Sequence, residues 1–226
     1  MSEYFRWVNV EKKEYISPGD FDYGVTKHAS IGRGNEVLCA LKELLSKEWS
    51  GDHVFFMGDQ NRIYKDTQND TIAILYKHSE EIGYSGDGFD TVCETYKNVS
   101  GLFKEAEKEV RRDIRCYIND LNNNYDNYPI TNYHGIDVND PFKGLFQRTG
   151  RDFFYTINHT KRVCYSFEKT KILFKDGTEC DCFDPLPVLM RYDCEEIPHE
   201  WVGDIIGVSD SMPEGYELLN EIFLDW

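Results

Sequence analysis

Positive charge is nearly missing from the last quarter of this chain. Past Lys175 there is one basic side chain, Arg191, against fourteen Asp and Glu, so the final 51 residues hold −13 of the formal −16. Such a one-signed field repels nucleic acid and anionic membrane and draws in basic surfaces or cations. Long apolar runs are missing too, and nothing approaches the roughly 20 residues that span a bilayer. The opening MSEYFRW lacks the basic, apolar and small-residue order of a secretory signal. Proline is sparse, at seven residues, while hydrophobic residues make up 40% and aromatic ones 15%. That composition excludes disorder and implies a ring-rich core in a folded chain of 226 residues.

Several catalytic signatures are absent as well. The six histidines are scattered singly, with no His-x-x-x-His or His-Glu-x-x-His pair, and no serine sits in a Gly-x-Ser-x-Gly elbow. Gly32-Arg33-Gly34 precedes a helix, but the full Gly-x-Gly-x-x-Gly pattern and a leading strand are lacking. Calcium loops of the Asp-x-Asp-x-Asp-Gly type are missing. Arg111, Arg112 and Arg115 cluster on one helix, where Glu107 and Glu109 are at hand to pair with them. Direct nucleic-acid binding is therefore disfavoured, and no cofactor is implied. Seven cysteines, an odd number, fit a reducing compartment, and the expected location is the cytoplasm.

What is present divides into three parts. In residues 1–121, YFRWVNV (4–10) suits a strand, and Asn35 caps an amphipathic helix running to about Trp49. HVFFM (53–57) reads as a buried strand, Asp70–Glu81 as a second helix, and Phe89–Leu121 as a long helical region interrupted at Ser100-Gly101. Residues 122–145, rich in Asn and Tyr, form an irregular connection. Residues 146–226 read as short strands, with Asp176-Gly177 as the strongest hairpin signal. The expected class is α+β, a helix-rich N-terminal half packed on a mainly antiparallel C-terminal sheet, in two parts or one continuous domain.

The acidic residues of the last part lie among apolar ones that demand burial, which points to carboxylates displayed on a folded surface. Asp181, Asp184, Glu195, Glu196, Glu200 and Asp204 are the candidate charge donors, around Trp201 as a ring-bearing anchor. The expected function is binding to a basic surface on a partner protein, such as a nucleic-acid-binding one. Small acidic inhibitors, immunity proteins and nucleic-acid mimics of bacteria and phages work on the same charge logic. The competing plain reading is a solvated acidic face with no partner.

Two alternatives rest on other residues. Cys180, Cys182, Cys194 and His199 offer zinc-type ligands within twenty residues, although the one-residue gap between the first two is shorter than usual. The plain reading is of small residues on one sheet face in a reducing compartment. Gly58-Asp59 follows a strand, where α/β enzymes hold metal or substrate, and Asp59 with His53 is the candidate centre of a hydrolase or nucleotide-handling enzyme. The Gly-Asp pair resembles one block of the metallophosphoesterases. The Asp-x-His block, the Asn-His-Glu block and the later histidine pair of that family are absent, and helix capping or turn formation is the plain reading of Asp59.

Overall fold

The structure is a computed structural model describing residues 4–21, 29–83, 86–124, 132–133, 136–137, 140, 142–192 and 199–224. Strand β1 (Phe5–Asn9) pairs antiparallel with β2 (Glu14–Ile16), Trp7 standing opposite Ile16. Helix α1 (Glu36–Leu45) starts where Asn35 accepts a hydrogen bond from the Leu38 amide, and it turns Val37, Leu38, Leu41, Leu44 and Leu45 inward. Strand β3 (Val54–Gly58) lies antiparallel beside β1, Phe5 opposite Gly58 and Asn9 opposite Val54. All five residues of β3 are buried, as its unbroken apolar run requires. Helix α2 (Asp70–Ile82) is capped by Asn69 and ends at Gly83, whose φ of 79° is the left-handed conformation that glycine adopts without strain.

Helix α3 (Gly88–Thr95), strand β4 (Lys97–Asn98) and helix α4 (Glu107–Asn124) occupy the region read as one long helix. The break is wider than Ser100-Gly101 alone, because polar side chains compete with helical bonding there. Asn98 donates to Asp20 and accepts from the Ser100 amide, while the Ser100 hydroxyl accepts from the Ser17 amide. β4 thereby runs parallel to β2. After the short pair β5 (Asn132–Tyr133) and β6 (Ile136–Asp137) come β7 (Tyr155–Asn158), β8 (Val163–Tyr165) and β9 (Lys171–Phe174). Helix α5 (Leu186–Leu189), β10 (Arg191–Tyr192), β11 (Ile206–Ser209), β12 (Glu217–Leu218) and β13 (Glu221–Leu224) complete the order.

The expected arrangement of helices in front and an antiparallel sheet behind is overturned. The five-stranded sheet takes four strands from the N-terminal part and β10 from the C-terminal part, is mixed, and has the order β10-β3-β1-β2-β4, with β10 parallel to β3. The C-terminal strands are mixed as well. β7 and β8 pair antiparallel and β11 pairs antiparallel with β7, but β12 runs parallel to β8 and β13 parallel to β9. The class is mixed α/β. The Asp176-Gly177 turn does form, with Gly177 at φ 82° and Leu173 bridging Glu179, yet the full-length neighbour of β9 is β13, from much later in the chain. Side chains from both ends share one core, in which Trp7, Leu41, Phe55 and Phe56 are clustered with Tyr165, Trp201 and Leu224. Among the described residues no helix is long and apolar enough to cross a membrane.

Candidate functional site

Three of the residues expected to face outward face inward. Asp184 is 0% exposed and lies beneath α1, where the Lys42 amine reaches its Oδ2 at 2.9 Å. The Tyr165 hydroxyl donates to Asp184 Oδ1 at 2.6 Å, and the Leu186 amide donates to the same oxygen at 3.0 Å. Lys42 is itself only 1% exposed and also binds Asp152 Oδ1 at 2.6 Å. Burial opposes the charge on Lys42, but Asp184 and Asp152 outweigh it and raise the amine above its ordinary value. Asp204 is buried and held by Asn158 and Lys161. Trp201 is buried against Tyr165, their ring centroids 6.1 Å apart, so it is core and no projecting anchor. In each case a carboxylate or ring that reads as surface in a charged stretch is claimed by a partner from a distant segment. Glu195, Glu196 and Cys194 lie outside the described residues.

Asp181 and Glu200 are exposed, and other carboxylates join them. Asp176, Glu179, Glu214, Glu217 and Glu221 are exposed, and none of these seven has an ion pair among the described residues. Strands β9 and β13 organise part of this set. On their inner face Ile172, Ile222 and Leu224 are buried, so alternation turns Lys171, Glu221 and Phe223 to the other side. Phe223 is 55% exposed there. Glu179 flanks the opposite edge of β9 through its bridge to Leu173. Lys171 stands in register with Glu221 and makes no ion pair among the described residues.

Between β13 and the segment at Glu200 lies a cleft of about 290 Å³. Trp201, Leu189, Leu219 and Ile222 give it apolar walls, and Glu200, Glu221 and Phe223 also line it. Lys161, at the same cleft, is occupied, because its amine binds Asp204 and the Glu200 carbonyl. The cleft thus combines unpaired carboxylates with apolar surface, a combination that suits a cationic head on an aliphatic stem. Glu221 belongs to the acidic set read from sequence as displayed, whereas Phe223, one of the apolar residues read as buried, is exposed instead. Alternation in EIFLDW could have shown that they share a face, but not that Glu200 stands beside them.

The alternative sites are described in part, Cys194 lying outside the described residues. The Cys180 and Cys182 sulfurs lie 3.4 Å apart, Cys180 buried and Cys182 exposed. Among the described residues no group of three or more His, Cys, Asp or Glu is placed to hold a metal, and His199 does not complete one. His53 precedes β3 and Asp59 follows it, which separates them by about 20 Å of extended chain. They cannot act as one dyad. His53 is engaged with Glu11, and Asp59 closes the strand end by accepting from the Tyr4 amide while its own amide donates back to the Tyr4 carbonyl.

The chain matches no protein-family model, no curated protein and no solved structure.

Proposed function

We propose that the protein is an acidic binding module that engages a basic surface of a partner protein, in the manner of an inhibitor, immunity protein or nucleic-acid mimic. The observation that carries this reading is the cleft lined by Glu200 and Glu221. Two carboxylates without ion pairs among the described residues there adjoin apolar walls and an exposed phenylalanine ring. An arginine or lysine of the partner would lay its stem on Leu189 and Ile222 and place its charge between the carboxylates. Asp181 and Glu179 extend the negative face past the far edge of β9, adding long-range attraction to the local fit. Phe223, in place of the buried Trp201, supplies the ring at the contact. The cytoplasm is the compartment we assign, a reading supported by free cysteines such as Cys39 and Cys93, whose thiols burial pushes up to about 11.

An arginine-rich peptide titrated against the protein at low and high salt tests the reading. Binding is expected at low salt, with association slowing as ionic strength rises. Glu200→Lys with Glu221→Lys should weaken binding by about tenfold or more, mainly through slower association. Equal binding by the wild type and this double variant at low salt would show that the cleft is not the contact.

A further inference from the structure

The two sulfurs that follow the β9 turn are held together from two sides. The Cys180 amide donates to the Ile172 carbonyl at 2.7 Å, which fixes Cys180 to β9. The Cys182 carbonyl accepts from the Arg33 amide at 2.8 Å, and the Asp184 amide donates to the Ile31 carbonyl at 2.7 Å. Cys182 is thereby fixed to the segment that leads into α1. The chain bends at Asp181 and Cys182, between these anchors, and the sulfurs share a hydrogen bond at 3.4 Å. Among the described residues no other two cysteine sulfurs are in contact.

Exposure gives the two thiols different parts. Cys182 is exposed, whereas Cys180 is buried at 6%. A small disulfide can reach Cys182 from solvent but not Cys180, and Cys180 lies beside whatever forms on Cys182. Closing the pair shortens the separation from 3.4 Å to the roughly 2.05 Å of a disulfide. Only Asp181 intervenes, so the closed loop is too short to remove much entropy from the unfolded chain. Such a bond would be a poor staple, and its use is chemical. Asp181 and Glu179, exposed and without ion pairs among the described residues, flank the pair and favour a cationic reagent over an anionic one.

We propose that Cys180 and Cys182 form a dithiol site that reduces small cationic disulfides, Cys182 attacking and Cys180 resolving. The Cys182 sulfur, having lost its proton, bonds to one sulfur of the reagent. The bond between the reagent's two sulfurs breaks, and the half that leaves takes up a proton. Cys180 then loses its proton, its sulfur bonds to that of Cys182, and the second half departs as a protonated thiol. Two electrons pass from protein to reagent, leaving one protein disulfide and two small thiols. The site does not depend on the cleft at Glu200 and stands or fails without it. The hydrogen bond with Cys180 is the main cause that holds the Cys182 thiol above its ordinary value, so the exchange is measured at about pH 9, where more thiolate is present.

The full chain is treated with cystamine, denatured in iodoacetamide and mapped by mass spectrometry without reduction. The peptide holding Cys180 and Cys182 should lose two hydrogens and keep neither a cysteamine nor an alkyl group. Cys116, exposed and without a neighbouring thiol among the described residues, should keep its cysteamine. Cys180→Ser should trap the mixed disulfide on Cys182, and Cys182→Ser should leave Cys180 free of cysteamine. Oxidised glutathione, an anion, should close the pair about tenfold more slowly than cystamine at low salt, a gap that narrows at high salt. A cysteamine that stays on wild-type Cys182 as it does on Cys116 overturns the proposal. So do a bond from Cys182 to Cys194 and a rate for glutathione equal to that for cystamine.

Discussion

Replacing Lys42 with methionine keeps most of the length of the side chain and deletes the cation that pairs with Asp184. Asp184 would then be a fully buried carboxylate whose remaining partners are the Tyr165 hydroxyl and the Leu186 amide. Removing one member of a buried ion pair costs about 3–5 kcal/mol. That is a large share of the roughly 5–15 kcal/mol that holds a domain folded. With a urea dependence near 2 kcal/mol per molar, the unfolding midpoint should fall by about 2 M. Asp152→Asn removes the more exposed partner, 35% accessible, and should cost no more than about 1 kcal/mol because water screens it. Lys42→Met with Asp184→Leu deletes both buried charges and should recover much of the loss. The pH dependence has a definite sign. Since the folded state holds Lys42 above its ordinary value, its contribution is fully present below about pH 10.4 and is lost as pH rises through the folded value. The gap between wild type and Lys42→Met should therefore narrow in alkali. A loss below about 1 kcal/mol for Lys42→Met, or a double variant no better than the single, would refute the account.

Other expectations follow from particular contacts. At Gly150 an added Cβ would lie 2.5 Å from the Ala40 nitrogen and 2.6 Å from the Cys39 carbonyl carbon, both backbone atoms that no rotamer change can move. Gly150→Ala should cost about 1–3 kcal/mol or more in thermal unfolding, whereas Gly32→Ala, with nothing within 4 Å, should stay within about 0.5 kcal/mol. His78 is held below its ordinary value by burial and, secondarily, by Lys13, and its Nδ1 lies 2.6 Å from the Tyr96 hydroxyl. Its contribution is present above about pH 6.5 and is lost as pH falls through the lowered folded value. His78→Gln should flatten that part of the acid dependence, read as melting temperature between about pH 7 and pH 5.

Much of the local structure was legible, because its signals are local. Asn35 and its apolar spacing mark α1, VFFMG marks a buried strand, and the α2 boundaries follow from Asp70 and the polar residues after Ile82. Pairing was not legible. Two residues, Arg191 and Tyr192, are too few to show a strand period, yet β10 supplies the outer neighbour of β3. Nothing in KILF or EIFL says that they run side by side and parallel. The same limit governs the sites. Charge density in the last quarter was visible, but the direction of each carboxylate depends on cations elsewhere, Lys42 for Asp184 and Lys161 for Asp204.

The parallel neighbour of β3 also sets the order of events during synthesis. A ribosome will have released β1, β2, β3 and β4 long before Arg191 and Tyr192 emerge. Until then Val54–Gly58, an apolar strand meant for the middle of a sheet, has one side unpaired. The nascent first half is thus sticky along that line, and closing the sheet requires contacts far apart in the chain, a slow step. A helper that shields strand edges would act during that interval, before Arg191 and Tyr192 close the sheet.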